Sequence, residues 1–189
     1  MNALYLIRHS LTLANERRLY GGSADIPLTA AGRAIALQRR GALPECEICV
    51  SSGMARANET LLLMTGRGAD AVFPELREMD FGAFEMKSYD QLKEDPDYIR
   101  WIGDPTGEVP CPGGECRGDF RARVLAGGDR LLRLPWASAL AVCHGGVIVN
   151  LMQAWFPSEN RHFYQWQPGP CEGYAIAVSD GAPVKFEEV

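Results

Sequence analysis

Apolar residues in this chain come in short runs that stop abruptly at polar ones. Ala3 to Ile7 halts at Arg8-His9, the pattern of a buried strand that empties into a polar loop. Thr29 then reads as the N-cap of a helix carrying Ala30, Ala34, Leu37 and Gly41 on one face, with Gly41 suited to its C-terminal stop. A second strand is predicted over Glu47 to Ser51. It leads through Ser52-Gly53 into a helix from about Met54 to Met64, with Ala57, Leu61 and Met64 on one face and Gly66 after the end. After a short strand at Ala71 to Phe73 the regular pattern lapses. The acidic, aromatic, Pro- and Gly-containing stretch to about residue 116 predicts an irregular and helical excursion from the core. Helix resumes from about Asp119 to Leu134 through Phe120, Val124 and Leu131, and the Gly127-Gly128 pair predicts a kink in it. Ser138 to Cys143 is the next strand, cut by His144-Gly145-Gly146. Val147, Leu151 and Ala154 mark a further helix, and Tyr174 to Val178 and Val184 to Phe186 are the closing strands.

Strands separated by helices of about ten or more residues need crossover connections, so the expected fold is α/β: a three-layer α/β/α sandwich around a mostly parallel sheet. A length of 189 residues fits one such domain. In open sheets of this kind ligands lie beyond the carboxyl ends of the strands, which makes the strand exits the residues to inspect.

Charge narrows the partners. Lys plus Arg is 19 and Asp plus Glu is 24, a net of −5, so the field of the whole protein repels polyanions and nucleic acid is not expected. No segment approaches the roughly 20 apolar residues of a membrane span, and Met1 to Ile7 lacks the basic and apolar regions of a signal peptide, so no membrane partner and a cytoplasmic location are expected. Cys46-x-x-Cys49 with Cys111 and Cys116 could be read as four zinc ligands. The wider second spacing, the absence of a flanking His and the strand-like run after Cys46 argue instead for reduced structural thiols.

Three exits carry unusual residues: Arg8-His9, Ser51-Ser52 with Arg56, and His144-Gly145-Gly146. If the strands are parallel, these meet at one edge. Two guanidinium forks, two imidazoles and the backbone N–H groups at helix starts then form a cationic pocket inside an acidic protein, suited to a phosphoryl group. A neutral imidazole is a competent nucleophile toward phosphorus, and His9 or His144 could serve. Two arginines and a second, protonated histidine could neutralise the equatorial oxygens, so neither a metal ion nor another cofactor is called for. Glu78, in a segment with Glu75, Asp80 and Glu85, is the candidate proton donor to the leaving alkoxide. His162, in a polar and aromatic stretch, reads as a rim or packing residue.

The order of these motifs resembles the histidine phosphatase superfamily, the phosphoglycerate-mutase-like proteins. Leu6-Ile7-Arg8-His9 through Asn15 resembles its R-H-G-E-T-x-x-N signature, and Gly22 with Asp25-Ile26-Pro27-Leu28-Thr29 and Gly32 resembles the G-x-x-D-x-P-L-T-x-x-G that follows. Ser51-Ser52 through Arg56-Ala57 and Thr60, Glu75 to Glu85, Gly113-Gly114-Glu115 and His144-Gly145-Gly146 continue the match in family order. The resemblance implies that His9 is phosphorylated, that Arg8, Arg56 and His144 hold the phosphate, that Glu78 donates the proton, and that Asn15, Gly22 and Gly145 assist. Departures are Ser10, Leu11, Gly21, Phe84 and Cys143, of which Ser10 is expected to need a backbone angle that glycine tolerates better.

Within the superfamily the short chain and the regions around Phe84-Glu85-Met86, Tyr98, Trp101 and Pro112 to Glu115 look most like alpha-ribazole-5'-phosphate phosphatases. The expected activity is hydrolysis of a small phosphorylated metabolite, with a phosphoglycerate mutase and a non-catalytic phospho-ligand-binding domain as alternatives. A homodimer remains open. Phe84, Tyr89, Tyr98, Trp101 and Trp166 could line a wall for a nucleoside-like leaving group, although aromatic residues at such spacings are more often core.

Overall fold

A computed structural model describes residues 1–189. Six strands, β1 (Asn2–Arg8), β2 (Ile48–Ser51), β3 (Ala71–Val72), β4 (Ser138–Cys143), β5 (Gly173–Ser179) and β6 (Ala182–Glu188), form one sheet in the order β3-β2-β4-β1-β5-β6. The four strands from β3 to β1 are parallel, as the crossovers require, while β5 runs antiparallel to β1 and β6 antiparallel to β5. That antiparallel edge is a hairpin: only Asp180 and Gly181, both at positive φ, separate β5 from β6.

The helices are α1 (Leu13–Glu16), α2 (Ala30–Gln38), α3 (Ala55–Thr65), α4 (Tyr89–Leu92), α5 (Pro96–Ile102), α6 (Arg117–Leu132), α7 (Gly145–Trp155) and α8 (Phe163–Trp166). Strand periodicity sorts them into two layers. In β4, Ala139 and Ala141 face a core shared with Val124 and Leu131 of α6 and Ile148 and Leu151 of α7; Leu140 and Val142 face the other core, with Ala36 of α2 and Ala57 and Leu61 of α3. Cys46 and Cys49 belong to the second core and Cys111 to the first, so their sulfurs are kept apart by the sheet. All six cysteines are free and buried. No helix is long and apolar enough to cross a membrane.

Two expectations of helix detail are corrected. In α2 the period is right and the phase is wrong: Gly32 and Ala36 are buried while Ala30, Ala34 and Leu37 face outward. The helix lies against the backbone of Leu11, where a Cβ on Gly32 would collide, and the Ser10 hydroxyl donates to the Gly32 carbonyl at 2.7 Å. Small residues therefore take the inner face. In α6 the predicted kink is absent, because Gly127 packs against Glu75 and Leu76, and Gly128 against Leu151 and Trp155 of α7. Close packing at these two points offsets the helix penalty of about 1 kcal/mol per glycine.

The excursion consists of two single turns, Pro74–Leu76 and Gly82–Phe84, with α4 and α5. Phe84, Tyr98, Trp101 and Trp166 are buried core and only Tyr89 is exposed, so of the suggested wall only that ring faces solvent.

Candidate active site

The predicted convergence of strand exits takes place. His9 follows β1, and its N–H donates to the Cys143 carbonyl at the end of β4 (2.9 Å), while the Ser52 N–H after β2 donates to Val142 (3.3 Å). The next residue after β4 is His144, the N-cap of α7. These ties bring the His9 and His144 rings to 5.1 Å between centroids, and the Arg56 Nε donates to His144 Nδ1 at 3.3 Å. His9, His144 and Arg56 are all buried. Ser10 has no positive φ, contrary to the expectation from its glycine counterpart. Its N–H donates to Thr60 Oγ1 at 2.9 Å, which anchors the loop to α3.

Hydrogen bonding fixes where each imidazole keeps its proton. The Ser10 carbonyl lies 2.6 Å from His9 Nδ1 and can only accept, so Nδ1 carries the hydrogen and Nε2 keeps its lone pair. A guanidinium can only donate, so His144 Nδ1 is the acceptor for Arg56, and the ring proton sits on Nε2 at 2.8 Å from Ser52 Oγ. Burial, reinforced by Arg56 and Arg8, pushes the His9 pKa down to about 3 against the opposing pull of the Ser10 carbonyl. Burial and then the neighbouring His9, Arg56 and Arg8 hold His144 well below its ordinary value too. Among these side chains burial thus favours the neutral form of both imidazoles.

Each arginine is aimed by backbone carbonyls. Arg56 donates from its two terminal nitrogens to Ala24 (2.8 Å) and Gly22 (2.7 Å), and Arg8 donates to Pro168 (2.8 Å). Burial lowers both guanidinium pKa values, and the nearby Glu78 carboxylate opposes the drop in each. The loop that supplies the Arg56 acceptors is itself clamped, since Glu85 accepts from the N–H groups of Gly22 (3.0 Å) and Ser23 (2.8 Å). Gly22 has no room for a Cβ, which would strike the Met79 carbonyl.

Glu78 is held at the start of α7. One carboxylate oxygen accepts the Gly146 N–H at 2.9 Å and the other the Met79 N–H at 3.0 Å. A Cβ on Gly146 would overlap that carboxylate, so here the glycine makes room for Glu78. Gly145 lies beside Arg8 and Gln167; an added Cβ would come within 2.9 Å of the Gln167 amide nitrogen. Asn15 takes a structural part: its Oδ1 accepts from the Thr12 N–H (3.0 Å) and hydroxyl (2.9 Å), leaving only its amide NH2 for an anion.

Three contributors, Gln167, Pro168 and Arg123, escape the sequence reading, whereas Ser52 is among the strand-exit residues it singles out. Ser52 orients His144, and Gln167 and Pro168 abut Gly145 and Arg8. Arg123 of α6 spans the excursion, pairing with Glu115 at 2.7 Å and donating to the carbonyls of Glu75 (2.9 Å) and Arg77 (3.0 Å), so that the Glu78 segment is pinned from below. Ser52 carries the same signal as His9, a polar residue at a strand exit; the others have no local signature.

The neutral histidines couple stability to pH. An unfolded His9 titrates near 6.5, whereas the folded one does so at about 3, so between these values the unfolded chain binds more protons and stability falls as pH falls. The His9 share corresponds to about 2 kcal/mol lost between pH 7 and pH 5, with His144 acting in the same direction. Urea unfolding at the two pH values should show His9→Asn losing about 2 kcal/mol less than the parent protein. Equal losses would contradict the neutral, buried imidazole.

Residues 4–186 match the family model of the histidine phosphatase superfamily, branch 1. A curated relative, "Probable phosphoglycerate mutase GpmB" of Salmonella paratyphi C, is 35% identical over 152 residues, 77% of this chain and 70% of its own. Among solved structures, the alpha-ribazole phosphatase from Shigella flexneri superposes with a TM-score of 0.84 at 30% identity, covering 96% of this chain and 93% of that one. Phosphoglycerate mutase from Thermus thermophilus gives 0.75 at 33% identity, covering 97% of each chain. Because the match runs from β1 into β6 and takes in both imidazoles, the chain belongs to the histidine phosphatase superfamily, branch 1.

Proposed function

We propose that the protein is a metal-independent phosphomonoester hydrolase that works through a phosphohistidine on His9 and acts on a small phosphorylated metabolite such as alpha-ribazole 5'-phosphate. The observation that carries this reading is the neutral His9, whose Nε2 keeps its lone pair among Arg8, Arg56 and His144. In the first step Nε2 forms a bond to phosphorus while the ester P–O bond breaks, and the departing alkoxide takes a proton from Glu78. The two guanidinium groups, and His144 once a phosphoryl dianion offsets its burial, hold the equatorial oxygens. In the second step water attacks phosphorus, the P–N bond breaks, a water proton passes to the Glu78 carboxylate, and inorganic phosphate leaves. Charge neutralisation by these side chains supplies what a divalent ion supplies in other phosphoryl-transfer sites.

The relatives named as phosphoglycerate mutases favour a second reading, in which the same phosphohistidine returns its phosphoryl group to a phosphoglycerate. Against it stands the short excursion over the site, since a mutase must keep water from the phosphoenzyme. The test pairs a phosphomonoester panel containing alpha-ribazole 5'-phosphate, in the presence of EDTA, with 3-phosphoglycerate primed by 2,3-bisphosphoglycerate. Phosphate release should dominate. Isomer formation outpacing it would install the mutase, activity restored only by added Mg²⁺ would overturn metal independence, and silence across the panel would leave a phospho-ligand-binding domain.

A further inference from the structure

Glu78 stands on irregular backbone. From Arg77 to Phe81 the chain belongs to no helix or strand, so its carbonyls and N–H groups need partners from elsewhere, and no ladder fixes the direction of the side chain. Arg123 of α6 supplies three of those partners. Its Nη1 donates to the carbonyls of Glu75 (2.9 Å) and Arg77 (3.0 Å), and its Nη2 donates to that of Glu78 itself (3.3 Å). Glu115 takes the other side. Its Oε2 accepts the Asp80 N–H at 2.9 Å, and its own N–H donates to the Asp80 carbonyl at 2.9 Å. Arg123 and Glu115 are joined at two points, Nε to Oε1 at 2.8 Å and Nη2 to Oε2 at 2.7 Å.

One ion pair therefore brackets Glu78, with the guanidinium on the backbone leading to it and the carboxylate on the backbone two residues after it. The planar fork is essential to this, because a lysine ammonium at the same place is a point charge that cannot span the pair and three carbonyls. Attachment of α6 to the core does not depend on the pair: Phe120, Val124 and Leu131 are buried there, and Gly127 packs against Glu75 and Leu76. What does depend on it is the course of the chain on either side of Glu78.

We propose that Arg123 and Glu115 are positioning residues for proton donation, setting the Glu78 carboxyl against the leaving oxygen through the backbone of residues 75 to 80. The inference rests on the reading of Glu78 as proton donor and extends it. A displacement of about 1 Å in a reacting group can cost about 10²-fold, so small shifts of this segment should be visible in the step that needs the proton.

Phenyl phosphate and p-nitrophenyl phosphate differ little in shape and strongly in the basicity of the departing oxygen. Their kcat/KM values report the steps up to P–O cleavage, so hydrolysis of the phosphoenzyme does not enter. Arg123→Met should lower the phenyl-to-nitrophenyl ratio of kcat/KM about tenfold, and Glu115→Gln should lower it in the same direction. Both rates come from one preparation, so an unfolded fraction reduces them equally and leaves the ratio intact. Should Arg123→Met fail to fold, Glu115→Gln carries the same comparison. In a Glu78→Gln background, adding either substitution should leave the ratio where Glu78→Gln alone puts it, because the pair acts through that side chain. An unchanged ratio in the single variants, or a further drop in the Glu78→Gln background, would overturn the inference and leave the role of Glu78 standing. Equal losses on both esters in Glu78→Gln, or a parent protein inactive on phenyl phosphate alone, would remove the proton donor and this inference with it. A parent protein inactive on both esters would overturn the hydrolase reading as well.

Discussion

His9→Ala is expected to abolish turnover, by about 10⁴-fold or more, because it deletes the only group that presents a free imidazole lone pair to the phosphate centre. Proximity alone does not make His144 a substitute. Its Nδ1 is taken by Arg56 and its Nε2 carries the proton facing Ser52, so no lone pair is available without breaking one of these bonds. His144→Ala should accordingly behave as a loss of charge stabilisation, about 10²- to 10³-fold in kcat, and still form the covalent intermediate. Steady-state rates on p-nitrophenyl phosphate for the two variants check the order. A His144→Ala defect equal to or larger than that of His9→Ala would reverse the assignment.

Glu78→Gln should divide substrates by leaving group. A sugar or alkyl phosphate needs a proton on its departing oxygen and should lose about 10²- to 10⁴-fold, whereas p-nitrophenolate leaves unassisted and should lose far less. The comparison is needed because glutamine also disturbs the local geometry. Both Glu78 oxygens accept backbone N–H groups, from Gly146 and Met79, and the amide NH2 would face one of those donors. That disturbance acts on every substrate alike, so only the difference between leaving groups reports the proton. A uniform loss would leave Glu78 as a brace for α7 and nothing more.

The strand exits were legible in the sequence because a parallel sheet converts one-dimensional pattern into three-dimensional proximity. Arg8-His9, Ser52 and His144 lie far apart in the chain and meet because β1, β2 and β4 are adjacent and parallel. What could not be read is whatever depends on which neighbour fills a gap. The inner face of α2 follows from the approach of Leu11 to Gly32, and the continuity of α6 from two glycines pressed against Glu75 and Leu151; neither partner is near in sequence. Protonation states follow the same rule. The residue types alone leave open where each imidazole keeps its proton, whereas burial of both rings and the carbonyl of Ser10 favour neutral forms with the His9 proton on Nδ1. Arg123 shows the limit most plainly, since its role consists of carbonyls that the excursion brings to it.

The central claim is that His9 Nε2 becomes covalently phosphorylated. Rapid-quench trapping with a labelled phosphomonoester, followed by peptide mapping, tests it directly. The account predicts an acid-labile, base-stable phosphoenzyme with the label on the peptide containing His9, absent from His9→Ala and present in His144→Ala. Label on a peptide containing His144, or trapping that survives in His9→Ala, would contradict it.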